Sequence, residues 1–218
     1  MRTVQRQSRI LGVAGALAVG VAVLSGCGSS GSTAPAEPSA SRQAEGASAA
    51  SCASGGACAV GDIGPGGGTV FYAASSPQSW GQYLEAAPAS WAGGSKEPSA
   101  PWCAAATLPN LSSAGTDIGA GAANTAMIVK ECGDSSAASK AAAYQGGGLA
   151  GWFLPSKDEL DALWKITDGG DVRDTDIYWS SSQSGDNAGL AWGQSFTTGY
   201  QLDGKKTGAG LVRPVRAF

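Results

Sequence analysis

Histidine occurs at none of the 218 positions. Imidazole is the usual general base near neutral pH and a common metal ligand, so its absence removes Ser-His-Asp triads, Cys-His nucleophiles and HExxH zinc sites together. Carboxylate and lysine chemistry survive. No two cysteines have CxxC spacing, which weakens any four-cysteine zinc reading. Basic residues are also few, 14 against 17 acidic ones. Three of them, Arg2, Arg6 and Arg9, stand at the extreme N-terminus.

Those three arginines precede an uncharged apolar run from Ile10 to Leu24, long enough for a secretory signal core and short of the roughly 20 residues that a membrane span needs. The run ends in Leu24-Ser25-Gly26-Cys27, which resembles the lipobox of bacterial lipoproteins: an aliphatic residue, two small residues and the cysteine that is acylated. Residues 1–26 then read as a lipoprotein signal peptide, and Cys27 as the new, lipidated first residue. An ordinary cleaved signal with a chance cysteine is the alternative. Two or three acyl chains on one residue anchor stably where a single chain holds weakly, so the expected location is the extracytoplasmic face of a bacterial membrane. Without the leader, 11 basic residues face 17 acidic ones, a net charge of −6. That balance argues against nucleic acid as a partner, because binding it requires clustered cations.

From position 27 to 58 the chain is Gly, Ser, Ala, Pro and a few charges, with nothing large to bury, and reads as a disordered tether. Its flexible reach is roughly 30 Å. Residues 59–218 are long enough for one domain with its own core. With Cys27 assigned to lipid, four cysteines remain. An even number in an exported chain points to disulfides. Three connectivities exist; Cys52 with Cys58 and Cys103 with Cys132 is favoured, because the first two lie together before the domain and the last two inside it.

The domain opens on Gly61-Asp62-Ile63-Gly64-Pro65-Gly66-Gly67-Gly68, a turn region followed by Thr69-Val70-Phe71-Tyr72, a β-branched and aromatic strand. A phosphate loop would end in Gly-Lys-Ser/Thr and open a helix, so the glycines read as a tight turn. Tyr83–Ala87 is its expected partner strand. Helices are expected over Gly121–Cys132 and Ser135–Tyr144. Ser156-Lys157-Asp158-Glu159 after Pro155 fits a capping box for a helix through Leu160, Leu163 and Trp164. Strands follow at Tyr178–Ser181, Ala191–Phe196, Gly199–Leu202 and Leu211–Arg216. Helices first and short antiparallel strands at the end make an α+β domain.

Gly151-Trp152-Phe153-Leu154-Pro155-Ser156 with Glu159-Leu160, Tyr178-Trp179-Ser180-Ser181, Ala191-Trp192 with Phe196 and Gly199, and Val212-Arg213-Pro214-Val215-Arg216 together resemble the Lcl C-terminal domain family. The opening Gly61–Tyr72 segment looks like the front of many members. The resemblance spans nearly the whole domain and none of the tether. It implies a C-type-lectin-like fold on an exported or surface protein, related to the formylglycine-generating-enzyme group; in the adhesin that names the family it accompanies glycosaminoglycan binding. Phe153 stands where the family usually carries a basic residue, and with the acidic balance this makes a sulfated polyanion a poor fit. Cys103 and Cys132 lack the motif of the related oxidases, so catalysis is not expected.

Trp179, Trp192, Tyr178 and Tyr200 offer ring faces on which a sugar can stack, against the ordinary role of strand aromatics as core. Asp186 and Asn187 can accept hydroxyl hydrogen bonds or simply form the turn between strands. Asp168, Asp171, Asp174 and Asp176 share a glycine-containing loop that can gather carboxylates for Ca2+, although it lacks the EF-hand spacing and also reads as a solvated acidic loop. Beyond that calcium site no cofactor is expected. Of Arg213 and Arg216, one is expected to pair with a buried acid such as Glu159. The combined expectation is a lipid-anchored binding module for a cell-wall or extracellular glycan. A structural envelope protein contacting a protein partner is the alternative. Replacing Cys27 with Ser should move the chain from the membrane fraction to the soluble extracytoplasmic fraction; fractionation with immunoblotting checks it, and unchanged membrane association contradicts the lipid assignment.

Overall fold

The computed structural model describes residues 51–167, 177–185 and 187–218. Cys27, the remainder of the leader and tether up to position 50, Asp168, Asp171, Asp174, Asp176 and Asp186 lie outside the described residues. In chain order the elements are β1 (Thr69–Gln78), β2 (Gly81–Ala86), β3 (Ser99–Pro101), α1 (Gly121–Cys132), α2 (Ala137–Ala142), β4 (Trp152–Phe153), α3 (Lys157–Ile166), β5 (Ile177–Gln183), β6 (Leu190–Ser195), β7 (Gln201–Lys205), β8 (Ala209–Leu211) and β9 (Val215–Ala217). The class is α+β. Two sheets form, in the orders β1-β2-β9-β4 and β3-β8-β5-β6-β7. No helix among the described residues is long and apolar enough to cross a membrane.

The expected strand Leu211–Arg216 is two strands in different sheets. Leu211 ends β8 in the five-stranded sheet and Val215 opens β9 in the four-stranded one. Pro214 between them has no N–H to give a ladder, so the chain crosses from sheet to sheet there. Hydrophobic alternation continues through the crossing and hides it from a sequence reading. The late strands are also not uniformly antiparallel, since β8 meets β5 in parallel through Leu211 and Tyr178.

Ser51–Cys58, expected as the end of the tether, is a closed turn. Cys52–Ser54 form a 3-10 turn, Cys52 is buried, and a disulfide joins it to Cys58 with the Cα atoms 4.8 Å apart. Cys103 and Cys132 form the second disulfide, Cα–Cα 5.2 Å, fixing the end of α1 to the segment after β3. The favoured connectivity is the one present, and neither domain cysteine is a free thiol.

Two apolar clusters hold the layers together. Trp102, Ile128, Leu154, Trp179 and Val212, with the alanines of α2, fill the space between α1, α2 and the five-stranded sheet. Phe71, Leu84, Phe153, Leu160, Leu163, Tyr178 and Phe196 lie under α3 where the two sheets approach. The α3 capping box is complete: the Glu159 amide donates to Ser156 Oγ at 3.3 Å, and the Ser156 amide to Glu159 Oε2 at 2.7 Å. A cap contributes about 1 kcal/mol, whereas burying Leu160 and Leu163 contributes about 1.5–3 kcal/mol each, so the cap sets where α3 begins and packing keeps it.

The glycine-rich opening encloses a carboxylate that belongs to the protein. Glu85, on β2 and fully buried, accepts from the Gly66 amide at 3.0 and 3.1 Å and the Gly68 amide at 3.2 Å. Arg216 on β9 completes the set, Nη1 to Oε1 2.8 Å. A Cβ on Gly66 would lie 2.5 Å from the Trp152 ring and 2.8 Å from Glu85 Oε1, so only glycine fits. Arg213 pairs with Glu97 and Arg216 with Glu85; neither pairs with Glu159, whose carboxylate is occupied by Ser156, Gly119 and Gly121 amides. Those acids come from segments far apart in sequence, which is why spacing could not select them. Glu85→Gln should cost about 3 kcal/mol of unfolding free energy in urea, because it leaves the largely covered Arg216 guanidinium without its counter-charge. Lys130→Ala, at an exposed ion pair with Glu131, should change stability by less than about 1 kcal/mol. Equal effects from the two would contradict this assignment.

Candidate functional site: the outer face of the late hairpin

β6 and β7 pair antiparallel with Leu190 opposite Lys205, Trp192 opposite Asp203 and Gln194 opposite Gln201. Directly opposed residues share a face, so these six side chains stand on one side of the hairpin. α3 begins over that side. The Gln201 amide nitrogen donates to the Lys157 carbonyl at 3.1 Å, and Gln194 Nε2 donates to Asp161 Oδ1 at 2.9 Å. The Lys157 ammonium lies 5.0 Å from the centre of the Trp192 ring. Trp192 and Lys157 are half-buried, whereas Asp203 and Lys205 are exposed. The result is a partly open aromatic platform with a cation over it, an amide and a carboxylate beside it.

Neighbouring charges are already committed. Asp161 takes Lys165 at 2.6 Å as well as Gln194; burial pushes its carboxyl up, but those hydrogen bonds and the nearby lysines outweigh burial and hold it below the usual carboxylate range. The same contact raises Lys165 above an ordinary lysine. Asp203 accepts the Ser184 hydroxyl at 2.8 Å, tying the β5–β6 loop to β7. Asn187 shapes that loop: its Oδ1 accepts from the Gly189 amide at 2.9 Å and its carbonyl from Leu190 at 3.1 Å.

Trp179 does not share this face. It is 4 % exposed, and its Nε1 donates to the Ala100 carbonyl at 3.1 Å. Cβ atoms on Gly210 and Gly204 would lie 2.6 and 2.9 Å from its ring, so glycine backbones close over the indole and leave no ring face for a sugar. Tyr178 is likewise interior, stacked on Phe196 at 4.3 Å, its hydroxyl pushed up to about 12 by burial and by the Glu97 charge. Tyr200 is 75 % exposed, yet the two-residue alternation assigns it to the side of Leu202, opposite Trp192. Of the aromatics read as sugar platforms, Trp192 alone combines exposure with polar neighbours. Among the described residues no group of three or more Cys, Asp or Glu side chains could hold a metal ion.

A concavity of about 490 Å³ lies between α1 and β4 and is lined by Ala122, Ala126, Val129, Trp152 and Phe153, with Lys130, paired with Glu131, as its one charged side chain. Its hydroxyl, on Thr125, is spent on Leu154, accepting from the amide at 3.0 Å and donating to the carbonyl. No convergent polar set orients a ligand there. No protein-family model matches the chain, and no curated protein matches it.

Lys206 was invisible to sequence reasoning, because a lysine beside Lys205 in a turn reads as solvated. It is fully buried, with Nζ 2.7 Å from Gln183 Oε1, 3.0 Å from the Pro109 carbonyl and 4.4 Å from the centre of the Trp102 ring. Through Gln183 it fixes Leu111, whose amide donates to the same oxygen at 2.7 Å. Burial without a carboxylate lowers its pKa to about 8. Between pH 8 and 10.5 the unfolded chain binds the proton that the folded chain releases, so this group makes stability rise with pH across that window. Measured in urea at pH 7 and pH 10, the stability of the wild type relative to Lys206→Met should therefore increase at the higher pH, by up to about 3 kcal/mol. A pH-independent difference would contradict the buried, desolvated placement.

Proposed function

We propose that this chain is a lipid-anchored extracytoplasmic binding module that recognises a glycan through the Trp192 face of its late hairpin. The observation that carries this reading is the half-buried Trp192 ring standing among Lys157, Gln201 and Asp203. Sugars present an apolar C–H face and a rim of hydroxyls, and an indole ringed by an amide, a carboxylate and an ammonium matches both parts. The resemblance to the Lcl C-terminal domain family and its C-type-lectin-like fold points the same way, as does the lipobox at Cys27, which gives the domain an envelope location where glycans are the abundant surface. The reading involves no catalysis and no nucleic acid. Calcium enters it only through the Asp168–Asp176 loop, as an optional cofactor.

The second reading, a structural envelope protein with a protein partner, is favoured by Tyr200 and Leu202, both exposed beside the edge of β7. Two side chains fall well short of the roughly 800 Å² per partner that a stable protein interface buries. The glycan reading therefore leads. The full chain in detergent, screened on an array of envelope and extracellular glycans, should bind a defined set. Trp192→Ala should weaken that binding at least about tenfold, some 1.4 kcal/mol, while Tyr200→Ala changes it less than about twofold. Equal losses in both variants, or loss in Tyr200→Ala alone, would favour the protein-facing side of the hairpin.

A further inference from the structure

We infer that the ligand of the Trp192 face is a sugar carrying a single carboxylate, which Lys157 receives; this deepens the glycan reading and rests on it. The Lys157 ammonium lies over the Trp192 ring, on the surface that a stacked sugar would occupy. A neutral sugar must displace the ammonium and offers it no charge in return. A carboxylated sugar lets the ammonium tilt from the ring to the carboxylate and keeps the ring for the C–H face.

The surrounding charges favour one anionic group and no more. Lys157 forms no ion pair among the described residues: Asp161, one turn along its helix, feels its charge at a distance but is bonded to Lys165 and Gln194. Lys205 is equally free of an acid and stands on the same face, diagonal to Trp192. Asp203 sits directly opposite Trp192, so a ligand with closely spaced anionic groups would place one of them against a carboxylate. Two lysines without an acid, Lys157 over Trp192 and Lys205 diagonal to it, with Asp203 directly across from the ring, thus select a single carboxylate attached to a ring with free hydroxyls.

The test uses the full chain in detergent and matched oligosaccharide pairs that differ only in a hexuronate replacing the corresponding hexose, for example cellobiuronic acid and cellobiose among others on one array. The uronate member of a bound pair should bind at least about tenfold more tightly than its neutral parent. Lys157→Met should remove that preference, bringing the affinity for the uronate down to that for its neutral parent, and Lys157→Arg should retain it; circular dichroism checks that both variants fold. Neutral parents bound as tightly as uronates, with loss in Trp192→Ala, would overturn the carboxylate assignment and keep the glycan reading. Uronate preference unaffected by Lys157→Met would overturn the role of Lys157. Absence of binding to every member would overturn both.

Discussion

A carboxylate with no access to water has to be neutralised or protonated, and the four-stranded sheet is organised around one such group. Glu85 on β2 meets Arg216 on β9, and their union sets the register Glu85 opposite Arg216 between those strands. Glu85 Oε2, which Arg216 does not take, accepts from the Gly66 and Gly68 amides, and Gly66 also reaches Oε1, so that the opening loop folds over the strand. Arg216 in turn donates to the Ala150 carbonyl at 3.2 Å, bringing in the chain just before β4. One ion pair therefore holds the beginning, middle and end of the domain together. Its worth lies in specifying this arrangement more than in net stability, since two buried charges lose about as much hydration as they gain in attraction.

The same solution recurs with different partners. Arg213 is met by Glu97 beside Tyr178, at the crossing between the sheets. Glu159, also fully buried, is met by no cation but by the Ser156, Gly119 and Gly121 amides and the Ser156 side chain; burial pushes its carboxyl up while those hydrogen bonds pull it down, and burial prevails. Lys206 is met by carbonyl oxygens and an indole ring. Each of these interior groups is consumed in holding segments in place. What they leave outside is the Trp192 face, where an aromatic ring and two lysines have no structural debt of this kind.

Much of the fold was legible in the sequence. α1 spans the residues read from its apolar spacing, and the Ser156–Glu159 box announced α3 because capping is a local interaction written in four consecutive residues. β3 and β4 were not legible: three and two residues long, they exist through pairing with β8 and β9, and no local pattern encodes a partner more than fifty residues away. The split at Pro214 was hidden for the same reason. At the candidate site, Trp192 and Trp179 look alike in sequence, each an aromatic within a short strand. What separates them is the small residues of β6, β7 and β8 that close over one and the helix that merely approaches the other. Lys157 figured in the sequence only as an unassigned middle position of the capping box, and its position over Trp192 follows from how α3 crosses the hairpin.

The central claim is a location, the Trp192 face, and backbone amide shifts test a location most directly. In the isotope-labelled full chain in detergent, titrated with a glycan that it binds, amide shifts should concentrate in residues 190–194, 201–205 and 156–158. Shifts concentrated around the recess between α1 and β4, or on Tyr200 and Leu202 with residues 190–194 silent, would contradict the account and move the site elsewhere.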